Sequence, residues 1–403
     1  MGEATPAGRQ KLPLAGVRVL ELSHIVAGPS GGLMLGDMGA EVIKIEPIQI
    51  GDHTRHFPPI INGESACFAN LNRNKRSIAL DLKNPKGKEV FMKLVKDADV
   101  VVENYRPDVK FRLGIDYESL KKVNPRLIYC AVSGFGQVGP DRATAAFDGM
   151  IQAMSGLMSI TGFPANGPTR VGFAGADVMS GFTAAFGVAS ALYQRTHTGK
   201  GQLVDVAMID AVTGFLAQQF TEHMMTGRVH EQAQNLSVTR KPTGNLFKTK
   251  DGWMVLAVMT DPQYQRLMKQ LGREDVLPDP RFKDWATRID NNKALHAIVE
   301  EAMKQKSSAE WNAIFAKNDI PAGRVLSIPE TAKLDHYGHR TIMQTVDTEY
   351  GPIKVVGSGF RLEHDGGSIE RPPATVGQHT DEVLAEAGYS PAEIADLRAA
   401  KVV

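Results

Sequence analysis

The chain has very little cysteine. Only Cys67 and Cys130 occur among its 403 residues, and their spacing matches no metal-binding pattern. Two isolated thiols exclude a disulfide-built scaffold and are typical of a reducing compartment. Residues 1–11 lack the apolar core that a secretory signal peptide needs. These observations predict a cytoplasmic protein.

Excess charge of either sign is also absent. Lys and Arg number 46 and Asp and Glu number 45, which leaves a formal net charge of +1. Because no global field favours a polyanion, we expect neither nucleic acid nor a membrane as a partner. An anionic ligand would therefore have to be met by local basic residues. The close histidine pair His336 and His339 flanks a loop-forming Tyr-Gly, which favours surface polarity, so no metal site is predicted.

Long hydrophobic runs are rare. The most apolar segment is residues 178–193, which is shorter than a membrane span and carries Ser180 and Thr183. We interpret it as a buried helix. The chain length and the 42% hydrophobic content allow two or three domains with ordinary cores.

One acidic residue, Asp177, stands directly before this apolar helix. Arg195 and His197, followed by Gly199, mark the helix end and place Asp177 at its start. Free backbone N–H groups and the helix dipole favour a carboxylate there and hold it anionic. Taken alone, the segment favours a simple N-cap role for Asp177, and a carboxylate nucleophile is the alternative.

Strand-like and helix-like segments alternate along the first half of the chain. Residues 17–22 and 41–45 have the pattern of buried strands, separated by a turn at 27–29 and a helix. Strands at 99–102 and 127–132 continue the alternation. This order predicts an α/β fold with a parallel, doubly wound sheet.

The pattern changes after about residue 221. Residues 222–243 are polar and have the composition of a linker. Residues 244–328 combine a hairpin, turning at 250–252, with several helices, which predicts a small α+β domain. The chain then returns, over residues 329–403, to short strand patterns and a last helix.

Residues 134–139 form a literal G-x-G-x-x-G after a predicted strand. Pro140 and Asp141 follow at once, and Ser159 stands near the position where a ribose-binding acid is expected. The context therefore fails for a dinucleotide-binding dehydrogenase. We interpret these glycines as turn residues.

A series of short motifs runs along nearly the whole chain. They are LAGVRVL at 14–20, AGP at 27–29, GDMGAEVIKIE at 36–46, NRNKRSI at 72–78, VENY at 102–105, GFG at 134–136, TGKGQ at 198–202 and GQHT at 377–380. In these motifs the chain resembles the class III (family III, CaiB/BaiF) CoA-transferases, the group of formyl-CoA transferase.

The resemblance implies a fold and an assembly. The expected fold is a Rossmann-like large domain, with a parallel sheet built from both chain ends, plus a smaller α+β domain. Residues 1–221 then form the N-terminal part of the large, CoA-binding domain, and residues 329–403 form a return linker and its C-terminal part. Two chains are expected to form an interlocked homodimer.

The resemblance also implies site residues. The family nucleophile falls on Asp177, and a second active-site acid falls on Asp148. Coenzyme A or acyl-CoA is expected as a substrate, with no permanently bound cofactor. The expected CoA contacts are His24, Ile25, Leu80, Lys83, Asn104, Tyr105, Arg112 and Met208.

CoA carries three phosphate groups, so a nearly neutral protein needs local cations to bind it. Candidates cluster around predicted strand ends and turns: Lys75, Arg76, Lys83, Arg106 and Arg112. For each of them a solvated surface charge is the alternative, and for Arg106 it is the better one. Tyr105 stacks on the adenine or packs in the core.

The implied reaction moves CoA from an acyl-CoA donor to a carboxylic acid, through an aspartyl anhydride and an aspartyl-CoA thioester. An α-methylacyl-CoA racemase shares the fold, but its pattern has a His-Asp pair where this chain has Phe147 and Asp148. A hydratase-like or non-catalytic CoA-binding protein is the other alternative.

The substrate acids are constrained only by departures from the formyl-CoA transferase pattern. Val26 and Pro47 replace a glutamine and a basic residue of that pattern, which disfavours oxalate as acceptor. Other motifs are more similar to family members that use small dicarboxylates, with succinyl-CoA as a possible donor. Arg170 and Arg240 are candidates for holding a distal carboxylate, and a salt bridge is the alternative for each.

Overall fold

Six parallel strands form the main sheet. The computed structural model describes residues 12–403. The first eight strands are β1 (Arg18–Glu21), β2 (Glu41–Glu46), β3 (Ile60–Ile61), β4 (Glu64–Ser65), β5 (Lys75–Ala79), β6 (Val100–Glu103), β7 (Ile128–Ser133) and β8 (Gln202–Ala207). The main sheet has the order β5-β2-β1-β6-β7-β8, with every pair parallel, and β3 pairs with β4 separately. The predicted parallel sheet is confirmed.

Helices connect these strands. They are α1 (Ala27–Asp37), α2 (Ala66–Asn72), α3 (Pro85–Lys96), α4 (Pro107–Leu113), α5 (Tyr117–Leu120), α6 (Asp148–Met154), α7 (Leu157–Ile160), α8 (Gly175–Thr198), α9 (Met208–Phe215) and α10 (Ala217–Thr226). Helix α10 ends at Thr226, so the first residues of the segment predicted as a linker, 222–226, are helical.

Helices α1 and α8 pack against each other through small residues. A Cβ atom on Gly181 would lie 2.5 Å from the Ser30 Cβ and 2.9 Å from the Ala27 carbonyl oxygen. Only glycine at position 181 allows the two helix backbones to approach this closely. The contact brings the first turn of α1 against the second turn of α8, directly after the turn that carries Asp177, and this positions the site described below.

Helix α8 has the length and composition of a membrane span. It contains 24 residues, more than the apolar segment read from the sequence, so the prediction that it is too short is wrong. Its buried residues include Ala184 and Val188, which lie on the side facing the rest of the fold. This packing accounts for part of the apolar composition, because other apolar side chains of the same helix, such as Phe182 and Phe186, are exposed.

The chain divides into two compact units. The first comprises the described residues up to Leu157, together with Arg170–Arg228 and Tyr337–Val403, and the second comprises Met158–Thr169 and Val229–His336. Further elements are β9 (Gly244–Lys248), β10 (Trp253–Ala257), α11 (Asp261–Gln270), α12 (Trp285–Asp290), α13 (Asn292–Met303), α14 (Ser308–Lys317), β11 (Ala322–Arg324) and α15 (Ile328–Thr331). Strands β9 and β10 form the predicted hairpin, and β11 completes an antiparallel sheet.

The C-terminal segment adds α16 (Asp335–Arg340), the antiparallel pair β12 (Met343–Thr348) and β13 (Gly351–Val356), α17 (Thr380–Glu386) and α18 (Pro391–Ala399). The side chains of Leu384 and Leu397 join the core beneath the main sheet. The C-terminal end therefore helps to build the first unit.

The expectation that both chain ends supply strands to the parallel sheet is wrong. All six strands lie between Arg18 and Ala207. At the β5 edge, the His379 N–H donates to the Ser77 carbonyl oxygen at 2.9 Å, and the Ala79 N–H donates to the Thr380 hydroxyl oxygen at 3.1 Å. The returning segment thus satisfies edge groups of β5 as a loop and helix start, without adding a strand.

Candidate functional site

A cavity of about 180 Å³ lies at the carboxyl ends of the central strands. Its walls follow β1, β6 and β7 and the starts of α8 and α9: Ile25, Val26, Ala27, Asn104, Tyr105, Arg106, Pro107, Val132, Ser133, Gly134, Arg142, Thr144, Ala145, Ala146, Phe147, Asp177 and Met208. Loops after parallel strands meet at one edge of a sheet, which is where α/β proteins bind ligands. The cavity brings together several of the predicted site residues, namely Ile25, Asn104, Tyr105, Asp177 and Met208.

The first wall is a loop held by side-chain hydrogen bonds. The His24 N–H donates to the Asn104 Oδ1 at 2.8 Å, and the Asn104 amide donates back to the His24 carbonyl oxygen at 2.7 Å. The His24 Nε2 lies 3.4 Å from the Tyr105 hydroxyl. Burial, assisted by the charge of Lys44, lowers the pKa of His24 to about 4, so its ring is neutral at neutral pH.

Ile25 adopts a left-handed backbone conformation, with φ of 68°. This conformation is strained for a β-branched residue, and such strain persists only where neighbours enforce it. The Ile25 N–H donates to the Asp52 carboxylate at 3.3 Å, and the Lys44 ammonium pairs with the same carboxylate at 2.8 Å. A buried ion pair therefore fixes the backbone that forms this wall.

Lys75 and Arg76, two of the predicted phosphate-binding cations, form ion pairs with acidic residues of the fold. The buried Lys75 ammonium lies 2.8 Å from the Glu21 carboxylate, and the Arg76 guanidinium pairs with Glu41 and Glu386. Burial lowers the pKa of Lys75 to about 8. The prediction that these two cations are available for an anionic ligand is wrong, because both side chains are buried against acidic partners.

Asp177 is the third residue of α8. The helix is preceded by Ala174 as its N-cap residue, whose side chain makes no capping bond, so the N-cap explanation for Asp177 is wrong. Burial raises the pKa of Asp177 to about 7, and the neighbouring charge of Asp148 acts in the same direction. Desolvation thus outweighs the effect of the helix start on the pKa of Asp177.

Asp148 caps α8 from another helix. One carboxylate oxygen accepts the N–H groups of Ala176 at 2.8 Å and Asp177 at 3.3 Å. The other accepts the Gln152 side-chain amide at 2.7 Å and the Arg170 guanidinium at 2.9 Å. Asp148 is buried and does not line the cavity, so it positions the residue beside it. The salt bridge weighed for Arg170 is confirmed.

The remaining predicted contacts lie outside the cavity wall. Leu80 is part of the buried core beneath the main sheet. Lys83 is exposed, with its backbone N–H bonded to Asp81, and Arg112 is 71% exposed on α4. Arg240 belongs to the second unit. Among residues 12–403 no group of three or more His, Cys, Asp or Glu side chains has a metal-binding arrangement.

Sequence reasoning missed Arg142 and gave Arg106 a surface role. Both line the cavity together with Asp177. Position on the chain is the signal that would have found Arg142, since it follows the turn at the end of β7, on the ligand-binding edge of the sheet. Phe147, which precedes Asp148 in the sequence, is exposed and lines the cavity. The cavity wall therefore has a phenylalanine at the position where the racemase pattern has a histidine.

Comparisons with known proteins place the chain in a family. The family model for CoA-transferase family III matches residues 14–380. The acetyl-CoA:oxalate CoA-transferase of Acetobacter aceti is 38% identical over 375 residues, covering 93% of this chain and 95% of that protein. A succinate–glutarate CoA-transferase of Agrobacterium fabrum is 36% identical over 390 residues, covering 95% and 97%. One relative is named for oxalate and the other for succinate and glutarate, so these names do not decide between the acceptors. The expectation against oxalate therefore stays a prediction.

A solved structure agrees with this assignment. The crystal structure of a CaiB/BaiF family protein from Brucella suis superimposes with a TM-score of 0.85 at 34% identity, and the match covers 94% of this chain and 100% of that one. The resemblance inferred from the motifs is therefore confirmed. The chain belongs to CoA-transferase family III and is a CoA-transferase.

Proposed function

We propose that this enzyme moves CoA from an acyl-CoA donor, such as succinyl-CoA, to a small dicarboxylate acceptor, with Asp177 as the nucleophile. One observation carries the proposal: a partly buried carboxyl group with a pKa of about 7 faces a cavity at the ligand-binding edge of the sheet. The relatives that act on oxalate and on succinate and glutarate support the choice of acids.

The chemistry needs no net change in protons. The Asp177 carboxylate attacks the thioester carbonyl carbon, and the C–S bond breaks to give an acyl-aspartyl anhydride and CoA thiolate. The thiolate attacks the aspartyl carbonyl carbon, which releases the donor acid as its carboxylate and leaves an aspartyl-CoA thioester. Covalent catalysis divides one difficult exchange into easier steps.

The second half reverses the first with a new acid. The acceptor carboxylate attacks the aspartyl thioester and forms a second anhydride with release of CoA thiolate. The thiolate then attacks the acceptor's carbonyl carbon, which yields the product acyl-CoA and restores the Asp177 carboxylate. The bound CoA arm keeps the thiolate at a high effective concentration throughout.

The raised pKa suits this role. A desolvated carboxylate has lost the water shell that makes it a weak nucleophile, and a pKa of about 7 still allows Asp177 to ionise near neutral pH. The hydrogen bond from the Asp177 N–H to Asp148 fixes the start of α8, so the carboxyl group is held in place. Asp148 thus acts as a positioning residue rather than as a second acid/base group.

CoA binding extends beyond the cavity. We assign its reactive end to Ile25, Asn104, Tyr105 and Met208, with His24 supporting the loop. Lys83 and Arg112 are exposed, and although Arg112 lies 3.9 Å from the Asp108 carboxylate, an exposed pair of this kind is weak enough to give way to a phosphate group. The CoA contact expected for Leu80 would have to involve its backbone, because the Leu80 side chain is buried in the core.

Two chains are proposed to form the interlocked homodimer of the family. Large aromatic side chains are exposed on the outer face of α8, including Phe182, Phe186 and Tyr193, and Phe215 is exposed on α9. Clustered exposed apolar side chains of this size are typical of an interface. A mass measurement in solution at micromolar concentration tests this, since a monomer would contradict it.

The test of the mechanism is covalent trapping. The protein is incubated with succinyl-CoA and quenched with hydroxylamine, which converts an activated carboxyl group into a hydroxamate, and peptides are then mapped by mass. We expect modification at Asp177 only, none at that position in Asp177→Ala, and full modification in the matched control Asp279→Ala.

An unmodified Asp177 with several acyl-CoA donors would contradict the proposal. Exchange of the α-hydrogen in heavy water without any acceptor would then indicate a racemase. CoA binding without either signal would indicate a binding protein or a hydratase-like enzyme.

A further inference from the structure

Two arginines, Arg106 and Arg142, line the cavity together with Asp177, and a third, Arg170, pairs with the Asp148 that caps α8. The Arg170 guanidinium lies 2.9 Å from the Asp148 carboxylate, and the Arg106 Nε lies 3.6 Å from Asp108. Arg142 lines the same cavity as Asp177 but makes no ion pair or hydrogen bond with any residue between 12 and 403. One cation at the cavity is therefore left without a counter-charge.

The loop that carries Arg142 is fixed at both ends. At its start the Gln137 N–H donates to both oxygens of the Asp205 carboxylate, at 3.2 and 3.0 Å. A tight turn follows, in which the Thr144 N–H donates to the Asp141 carbonyl oxygen at 2.8 Å. The loop ends at α6, where Asp148 is locked into its hydrogen bonds. These bonds anchor the loop on either side of Arg142, whose exposed side chain lines the cavity and is free to meet a ligand.

We propose that Arg142 binds the second, non-reacting carboxylate of the dicarboxylate, and so selects diacids over monoacids. The inference rests on the proposed function, because it assumes that Asp177 meets the acyl carbon. A guanidinium presents two parallel N–H donors that match a carboxylate, which gives both strength and geometric selection. Arg142 is the one arginine of the three that is free to do this.

The CoA phosphates are a poorer partner for Arg142. In CoA a long pantetheine arm separates the thiol from the phosphate groups, and Asp177 has to meet the thiol end. A cation in the wall of the same small cavity is therefore close to the acyl group and far from the phosphates. Arg112 and Lys83 are exposed like Arg142, but they lie outside this wall and therefore suit the phosphates better.

The test compares acids that differ by one carboxylate. Wild-type protein, Arg142→Met and Arg142→Lys are assayed for CoA transfer from acetyl-CoA to succinate and glutarate, and to butyrate and pentanoate, which match them in length. Methionine removes the charge and keeps an unbranched side chain. We expect Arg142→Met to lower kcat/KM for both diacids about 10- to 100-fold, mainly through KM, with less than about a threefold change for the monoacids.

Controls separate this role from a structural one. The half-buried Arg273 of the second unit pairs with Asp275 and is not part of the cavity wall, so Arg273→Met removes an arginine charge elsewhere in the chain and should leave transfer to both classes of acid unchanged. The dissociation constant for CoA should stay the same in Arg142→Met, and Arg142→Lys should recover part of the diacid preference.

Each other outcome overturns the inference. An equal loss for diacids and monoacids would mean that Arg142 acts on the reacting carboxylate, and weaker CoA binding would mean that it meets a phosphate. Either result leaves the proposed CoA transfer intact. If the wild-type protein transfers CoA to no acid from either acetyl-CoA or succinyl-CoA, the proposed function fails and the inference fails with it.

Discussion

Helices that begin at the cavity differ from three helices of the second unit in how their first N–H groups are capped. In the second unit α11, α12 and α14 begin with capping boxes, in which Thr260, Asp284 and Ser307 bond to the third helical residue and receive a bond in return. At the cavity α1, α4, α6, α8 and α9 follow Val26, Arg106, Phe147, Ala174 and Ala207, and none of these side chains makes a capping bond. The three helices of the second unit are capped by residues next to them in the chain, whereas the helices at the cavity are not.

The difference shows how one chain provides both stability and a site. A local cap satisfies free N–H groups and contributes about 1 kcal/mol to stability. Helix starts without such caps keep their N–H groups and their positive dipole ends for something else, and anions bind well there. For α8 the partner is Asp148, from 29 residues earlier in the chain.

Removing the nucleophile should have the largest effect. Asp177→Ala is expected to lower CoA transfer by at least about a thousandfold, because no other group in the cavity wall offers a carboxylate. Binding of CoA should remain within a few-fold of the wild type, as measured by calorimetry. Substantial residual transfer in a preparation free of wild-type protein would defeat the proposed mechanism.

The pH dependence should follow Asp177. Because the nucleophile must be ionised, kcat/KM should fall about tenfold per pH unit below 7 and level off above it. Asp148→Asn keeps an oxygen acceptor for the α8 cap but removes the negative charge that helps to raise this pKa, so the midpoint should move to lower pH. A profile with an unchanged midpoint would show that Asp148 does not act through Asp177.

The raised pKa should also destabilise the fold at high pH. The ordinary pKa of an aspartate is near 4, so between about pH 4 and 7 the folded state holds a proton that the unfolded state has lost. Stability therefore falls as pH rises through this window, by at most about 1.4 kcal/mol per unit. Asp177→Asn removes the effect, and thermal melts should show it more stable than the wild type at pH 8 but similar at pH 4. Equal melting temperatures at pH 8 would argue against a raised pKa.

A cap in the second unit should affect stability alone. In α14 the Glu310 N–H donates to the Ser307 hydroxyl at 3.2 Å, and the Ser307 N–H donates to the Glu310 carboxylate at 2.8 Å. Ser307→Ala should lower the free energy of unfolding by about 1 kcal/mol, measured by urea titration, with kcat/KM unchanged. A large loss of transfer in this variant would break the contrast between the two sets of helices.

Local patterns made much of this protein predictable. Alternating strand and helix signals predicted the parallel sheet, and the hairpin of β9 and β10 followed from its turn sequence. The apolar helix with a cationic end placed Asp177 in the first turn of α8. The motifs along the chain identified the family, which the comparisons confirmed.

Pairing of charges was not predictable in the same way. Lys75 and Arg76 have the residue types of a phosphate site, but alternation along β5 directs them to Glu21 and Glu41, which are distant in the sequence. The C-terminal segment itself satisfies groups at the β5 edge through His379 and Thr380, and it then continues as helices, a long-range pairing that local patterns do not reveal.

The sequence by itself determined the order of elements, the family and the position of Asp177 at a helix start, because these depend on neighbours a few residues away. Only the tertiary structure decided that Asp148 caps α8, that burial raises the pKa of Asp177, and that Arg142 is left without a partner at the cavity. Burial and charge pairing depend on which groups the fold brings together, and for a buried charge they outweigh local preference.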